Sequence, residues 1–171
     1  VVRPFEWGLD WIETNGPPGN APPERVLVDW ASRAVSDSTR FFETPDTSDY
    51  TFRPDADRAT GAVSFPSAMH TRYPENNTVH AEFYQPRGEG KHPGLVILHH
   101  LGGSMEAEEI IGGMLAADGI ACVLVWMPYY EQRAPKDGRK REDIFSTDID
   151  ASRAVTRQAI LDVRRAGDWL A

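Results

Sequence analysis

Residues 98–104 read Leu-His-His-Leu-Gly-Gly-Ser and combine the residue types that a catalytic loop needs. They follow an apolar run at 94–98 and precede an amphipathic stretch, so they are predicted to join the carboxyl end of a buried strand to a helix. Backbone N–H groups at a helix start carry partial positive charge and suit a developing oxyanion. Gly102 and Gly103 would let a substrate approach the main chain closely. This loop is the first candidate site.

Two other functions of the same loop are less favoured. His99 and His100 are adjacent, so their side chains diverge, and no third ligand lies at a suitable spacing; hydrogen bonding within the loop is favoured over a metal site. Ser104 is better explained as a helix N-cap than as a nucleophile. Cys122 is the only cysteine and lies in an apolar strand, which predicts an inert core thiol. No metal and no cofactor is expected.

A second candidate cluster follows the apolar run at 120–126. Trp126, Met127, Tyr129 and Tyr130 lie at the end of that run and could line a pocket for an acyl group. Aromatic residues at a strand end are also ordinary packing, and the sequence leaves both possibilities open. The basic residues Lys136, Arg139, Lys140 and Arg141 are matched in number by the acidic residues Glu131, Asp137, Glu142 and Asp143, which favours a solvated loop over a site for an acidic substrate.

The N-terminal third is predicted to be an extension. Residues 1–24 are rich in proline and glycine and indicate an irregular arm. A helix is predicted from Pro23 to about Arg40, and residues 44–61 read as a loop. The buried face of this helix is expected to contain Val26, Leu27, Trp30, Ala31 and Ala34.

An antiparallel hairpin is predicted next, with strands at 67–73 and 78–85 around a turn at 74–77. Asn76-Asn77-Thr78 matches a glycosylation acceptor, but a plain turn is the favoured explanation of so short a pattern.

The second half of the chain has the pattern of a parallel β-α-β unit. Apolar strands are predicted at 94–98 and 120–126, with a helix between them that begins at Ser104 and ends before Gly119. The buried face of that helix is expected to contain Ala107, Ile110, Ile111, Met114 and Leu115. Residues 128–146 read as a loop. A last helix begins at Thr147, with a stripe formed by Ala151, Val155, Ala159 and Val163.

Composition narrows the classes of function. The chain has 171 residues, of which 40% are hydrophobic, so one packed domain is expected. Lys and Arg number 18 and Asp and Glu 26, giving a net charge of −8. This acidic balance argues against binding nucleic acid or an anionic membrane, and no apolar run approaches the length of a membrane span.

In this order the elements of residues 78–171 resemble the α/β-hydrolase superfamily, in which a strand ends in an oxyanion loop of the type His-Gly-x-Gly-Gly. Residues 157–170 resemble the helix before the nucleophile strand in dienelactone-hydrolase-like and acetyl-xylan-esterase-like members. The resemblance implies that the backbone N–H of Leu101 donates to the oxyanion, that His99 anchors the loop, and that Gly102 and Gly103 keep it open. His100 departs from the family pattern, because glycine usually follows the first histidine; the dienelactone-hydrolase-like branch tolerates a side chain there.

The nucleophile motif Gly-x-Ser-x-Gly is absent, and the resemblance implies that nucleophile, acid and base all lie beyond Ala171. The expected class is therefore α/β, a partial α/β-hydrolase fold with a helical N-terminal extension. Residues 1–60 would form the arm, helix and loop, and residues 61–171 the N-terminal half of the hydrolase domain. The expected function is the front half of a serine hydrolase acting on small carboxylic esters, inactive by itself.

Two alternatives remain. The chain could be a non-catalytic half-domain or pseudoenzyme that binds a partner, whereas a nucleotide-binding enzyme is disfavoured because no glycine-rich phosphate motif follows a strand. In the resembled fold the strand at 95–99 would lie at an open edge. We therefore expect a homodimer, or pairing with a complementing C-terminal half, through that edge.

Overall fold

A five-stranded mixed sheet is the centre of the described structure. The computed structural model describes residues 7, 9, 12, 21–100, 102, 104–136 and 149–171. Its strands are β1 (Thr51–Pro54), β2 (Thr60–Pro66), β3 (Thr78–Tyr84), β4 (Gly94–Leu98) and β5 (Ala121–Val125), and its helices are α1 (Pro23–Ser36), α2 (Ser38–Phe41), α3 (Glu106–Ala117) and α4 (Ile149–Leu170). Two short 3-10 turns lie at Pro74–Asn77 and Glu131–Arg133.

The strand order is β1-β2-β3-β5-β4. The first three neighbouring pairs are antiparallel, whereas β4 and β5 are parallel and are joined through α3, which confirms the predicted β-α-β unit. The class is mixed α/β, with a sheet that is mostly antiparallel among the described residues.

The two faces of the sheet carry separate cores. Val123 and Val125 of β5 point into a cluster that α4 covers through Ala166. Cys122 and Leu124 point to the opposite face, where Ala116 of α3 packs against them. The period-two alternation of strand side chains explains this division. Cys122 is fully buried, as predicted for a core thiol.

The predicted hairpin is right in its second strand and wrong in its first. The partner of β3 is β2, at Thr60–Pro66, and the predicted strand at 67–73 is part of the connection. The side chain of Asn77 holds this connection by accepting from Thr71 N at 2.7 Å. Residues 51–54, predicted as loop, form β1. Asn76 is fully buried, in keeping with a turn rather than a glycosylation acceptor.

The predicted helix from Pro23 to Arg40 is interrupted. Asp37 has φ −133° and ψ 60°, which ends α1, and its side chain accepts from Arg40 N to start α2. Asp is a common N-cap because its oxygen satisfies a free N–H of the first turn. The half-buried residues of α1 are the five predicted for its buried face, although none is fully buried.

The predicted buried face of α3 is wrong. Ile110, Ile111 and Met114 are 63%, 48% and 64% exposed. Ala107 is also exposed, and Leu115 is half-buried. The face toward the sheet contains Glu108, Gly112 and Ala116, because Gly112 lets the Tyr84 ring approach within a distance that a side chain would prevent.

Of the two predicted ends of α3, the C-terminal end is confirmed and the N-cap is wrong. Ser104 is not the N-cap, since Met105 occupies that position and no side chain caps the helix. Gly119 follows the helix with φ +85°, as predicted.

Polar residues share the buried face of α4 with the predicted apolar stripe. Val155 and Ala159 are buried, whereas Ala151 and Val163 are half-buried. The other buried residues are Gln158, Leu161, Asp162, Arg165 and Ala166. The predicted start at Thr147 and residues 137–141 of the basic cluster lie outside the described residues. No described helix has both the length and the apolar character needed to span a membrane.

Candidate functional site

Because β4 and β5 are parallel, the segments after their carboxyl ends lie side by side. His99 follows β4, and its Nε2 accepts a hydrogen bond from the backbone N–H of Met127, which follows β5, at 3.1 Å. The centroids of the His99 and Tyr130 rings are 4.4 Å apart. The structure thus brings together the two clusters that the sequence singles out, at the sheet end where ligands of α/β proteins bind.

The hydrogen bonds of His99 define its tautomer. A backbone N–H can only donate, so Nε2 carries the lone pair and the proton lies on Nδ1. Nδ1 donates to the carbonyl of His100 at 3.0 Å. His99 is buried, and both ring nitrogens have a partner. The ring therefore fixes the start of the loop against the segment after β5.

His100 is bound to Glu108 of α3. Its backbone N–H donates to Glu108 Oε1 at 3.0 Å, and its Nδ1 lies 2.8 Å from the same oxygen. The His100 side chain is 57% exposed, whereas that of Glu108 is 11% exposed. These hydrogen bonds lower the pKa of Glu108 to about 2, so the carboxylate is ionised at neutral pH. Glu108 Oε2 is buried and has no partner among the described residues.

The remaining loop residues are described in part. Gly102 is exposed, with φ +89°, a conformation that side chains rarely adopt. Leu101 and Gly103 lie outside the described residues. Ser104 is exposed and has no hydrogen bond to another described residue.

The residues of the aromatic segment after β5 differ in their burial and their contacts. Tyr130 is buried, whereas Trp126, Met127 and Tyr129 are half-buried. Trp126 packs against both core clusters, which is a structural role. Tyr129 has φ 67°, and its backbone N–H donates to Asn76 Oδ1 at 3.1 Å. Burial raises the pKa of the Tyr129 hydroxyl, with Tyr73 adding to the effect, so this group stays neutral.

A fully buried ion pair between Arg133 and Asp162 anchors segment 126–133. Arg133 Nη2 lies 2.7 Å from Asp162 Oδ2, and both side chains are 0% exposed. Arg133 also donates to the carbonyl of Trp126 at 2.8 Å and to that of Asn76 at 3.0 Å. The guanidinium therefore joins the two ends of segment 126–133 and ties them to the turn before β3.

Asp162 and Gln158 extend this network into α4. Asp162 Oδ1 accepts from Ser67 Oγ at 2.8 Å and from Ala68 N at 3.2 Å. Gln158 accepts from the amide of Asn76 at 2.9 Å and donates to Ser67 Oγ at 2.9 Å. Burial raises the pKa of Asp162, although Arg133 and the two donors oppose this effect.

Sequence reasoning missed the network and Glu108. A signal for the network was present, because Gln158 and Asp162 occupy helical positions in line with Val155 and Ala159. Polar residues on an apolar stripe indicate buried partners.

Within the described ranges, no three His, Cys, Asp or Glu residues are grouped so that they could hold a metal ion. Burial raises the pKa of the Cys122 thiol, which keeps it in its unreactive protonated form.

No family model matches the chain, and no curated protein matches its sequence. Among solved structures, the fold is similar to that of an acetyl xylan esterase from Paenibacillus sp. R4, with 18% identity and a TM-score of 0.51. The match covers 90% of this chain and 48% of the esterase, so the chain spans about half the length of that enzyme. At this identity the likeness supports an esterase-like fold.

Proposed function

We propose that this chain is the front half of a serine hydrolase that acts on small carboxylic esters, and that it supplies part of the oxyanion hole. The observation that carries the proposal is the likeness to the esterase, which spans nearly all of this chain and about half of that enzyme. A loop suited to bind an oxyanion follows β4 within the matching architecture. The nucleophile, acid and base would come from residues beyond Ala171, so the chain alone is inactive.

The hydrogen bonds of the loop support Leu101 as the oxyanion donor. The His100 N–H is engaged by Glu108 Oε1 at 3.0 Å, so it is not available to a substrate. The next N–H along the chain belongs to Leu101. His99 fixes the residues just before it, and the left-handed Gly102 turns the chain just after it. A backbone N–H that is fixed in place before the reaction stabilises charge that develops in the transition state.

The proposal includes a partner at the β4 edge. β4 is the last strand in the sheet order, and its outer edge pairs with no described strand. Leu95 and Leu98, which lie on opposite faces, are 42% and 44% exposed. An edge strand with exposed apolar side chains favours pairing with another strand. A complementing C-terminal half of the domain is the proposed occupant; a homodimer through this edge is the alternative.

The decisive experiment compares this chain with a version extended by the codons that follow Ala171. The extended protein should hydrolyse p-nitrophenyl acetate and react with a fluorophosphonate probe, whereas residues 1–171 should do neither. In the extended protein, Leu101→Pro removes the proposed N–H and should lower kcat by about 10²–10³-fold. Leu101→Ala keeps the N–H and is the matched control.

Three results would contradict the proposal. Turnover by residues 1–171 alone would exclude a missing nucleophile. Equal kcat values for Leu101→Pro and Leu101→Ala, in proteins of equal thermal stability, would exclude the Leu101 N–H. An extension without a nucleophile motif would favour a non-catalytic half-domain that binds a partner. Light scattering of residues 1–171 at tens of micromolar tests the edge separately, and a clean monomer would count against it.

A further inference from the structure

A cleft of about 640 Å³ lies between the α1–α2 region and the start of α4. Four arginines line it, namely Arg33, Arg40, Arg153 and Arg157. Asp37 is the only acidic residue among the described residues of the lining, and Asp150, outside the lining, pairs with Arg153 at 2.6 Å. The four arginines outnumber these two acids, so the cleft carries an excess of positive charge in a chain whose net charge is −8. None of the lining residues belongs to the candidate ester site.

The neighbouring cleft does not share this excess of positive charge. An adjoining cleft of about 620 Å³ shares Asp37 and Arg40 with it. The adjoining cleft also contains Arg164 together with Glu43 and Asp168, so its acids outnumber its arginines. The arginines of the first cleft are therefore not a general property of this surface.

Two of the four arginines are held in place by aromatic rings and backbone. Arg157 Nε donates to the carbonyl of Phe41 at 3.0 Å, and its guanidinium lies 5.4 Å from the centre of the Phe41 ring. The guanidinium of Arg153 lies 5.9 Å from the centre of the Trp30 ring. Trp30 and Phe41 pack edge to face at 5.5 Å. These cation–π contacts orient both arginines. Arg153 also pairs with Asp150 at 2.6 Å, whereas Arg157 forms no ion pair with a described residue.

The other two arginines are available to a ligand. Arg33 and Arg40 are exposed, and their side chains form no hydrogen bond or ion pair with another described residue. The carboxylate of Asp37 accepts from the backbone N–H of Arg40 at 3.2 Å as the cap of α2. Arginine stays charged at any physiological pH. The cleft thus combines two fixed guanidinium groups with two adaptable ones.

We propose that this cleft binds a small ligand with two or more oxyanion charges, either a phosphate ester or a polycarboxylate. Guanidinium groups match both chemistries, because their N–H groups form paired hydrogen bonds with two oxygens. Several like charges around one cleft favour a multivalent anion over a monovalent one, since each added charge gains attraction from the same arginines. A long nucleic acid is disfavoured because the rest of the chain is acidic and would repel it.

Titration calorimetry with pyrophosphate and with citrate tests the site, with acetate at equal ionic strength as the monovalent reference. We expect one pyrophosphate or citrate bound per chain, more tightly than acetate. The variant Arg33→Gln/Arg40→Gln should bind at least about tenfold more weakly. Arg58→Gln/Arg87→Gln changes the net charge equally at exposed positions outside the cleft and should bind like the natural chain.

The measured affinities identify the class of ligand or overturn the proposal. Tighter binding of pyrophosphate assigns the cleft to phosphate esters, and tighter binding of citrate assigns it to polycarboxylates. Equal weakening in the two double variants would reduce the effect to net charge and overturn the proposal. Binding no tighter than that of acetate would overturn it as well. All four substitutions are at exposed side chains, and circular dichroism checks that each variant folds.

Discussion

Asp162→Asn should be among the most destabilising single-atom changes in the chain. The substitution exchanges one carboxylate oxygen for an amide and leaves the shape of the side chain almost unchanged. It removes the negative charge that lies 2.7 Å from Arg133 in a site with no solvent exposure. The guanidinium then remains buried without a counter-charge.

The structure gives the size of the effect. Two unit charges about 4 Å apart attract by about 4 kcal/mol at the effective dielectric constant of protein sites, about 20. Breaking a buried pair by removing one partner costs about 3–5 kcal/mol in comparable cases. The amide group would also direct an N–H at a donor, either Arg133 or Ser67 and Ala68. We therefore expect Asp162→Asn to lower the free energy of unfolding by about 3–5 kcal/mol.

Urea unfolding at pH 7, followed by circular dichroism, measures this loss. Asp29→Asn is the matched control, because Asp29 pairs with Arg25 at 3.1 Å on the exposed surface of α1. Its side chain is 54% exposed, and an exposed pair of this spacing contributes about 0.5 kcal/mol or less. Arg133→Lys keeps the charge but not all three hydrogen bonds, so it should fall between the two.

The double variant Arg133→Met/Asp162→Leu separates the ion pair from its surroundings. It removes both charges, so it should be less destabilised than the sum of its own single variants, Arg133→Met and Asp162→Leu. A loss of less than about 1 kcal/mol for Asp162→Asn, with an unchanged dependence on urea, would refute a stabilising role of the Asp162 charge. Strict additivity in the double variant would equally refute coupling between Arg133 and Asp162.

Three further predictions concern other residues. Gly112→Ala should lower stability by about 1–3 kcal/mol in thermal unfolding, because its Cβ would lie 2.9 Å from two carbons of the Tyr84 ring. Gly113→Ala is the control: its Cβ meets no atom within 4 Å, and it should raise stability by up to about 1 kcal/mol. Equal shifts for the two variants would contradict the close packing at Gly112. Burial, assisted by the charge of Arg133, lowers the pKa of His80, so as the pH falls the unfolded chain takes up this proton before the folded chain does. The contribution of His80 to stability should therefore be full above about pH 6.5 and decrease as the pH drops below that value. In His80→Gln the urea midpoint should fall less between pH 8 and pH 5.5 than in the natural chain. His99→Leu leaves the Met127 N–H and the His100 carbonyl without their partner, so it should lower the free energy of unfolding in urea by about 1–3 kcal/mol. His70→Leu, at an exposed position, should change it little. A larger loss for His70→Leu than for His99→Leu would exclude the anchoring role of His99.

The elements that could be predicted are those whose signal is local. The apolar runs at β4 and β5, with an amphipathic stretch between them, predict the parallel pair, and Gly119 marks the end of α3. The clusters around His99 and Tyr130 could be selected because both follow strand ends. Their direct contact could be expected only after the parallel pairing was known.

The remaining features depend on contacts between distant residues. Asp162 binds Ser67, 95 positions earlier, and Gln158 binds Asn76, 82 positions earlier. These contacts draw residues 67–77 out of the sheet, so the hairpin begins with β2 instead of the predicted strand. In α3 the apolar residues surround more than one side, and the close approach at Gly112 decides which side faces the sheet. Periodicity alone does not encode either choice.

The buried network also couples the order of segment 126–133 to the docking of α4. Segment 126–133 contains two residues with positive φ, Tyr129 and Glu131, which are not glycine, and its ends are tied by Arg133. Arg133 keeps its charge partner only while Asp162 of α4 stays docked on the sheet. A fluctuation that lifts α4 therefore also releases this segment. The backbone amides of Tyr129 and of the buried half of α4 should exchange with solvent as one cooperative unit, so the site end of the sheet becomes ordered only when the last described helix closes over it.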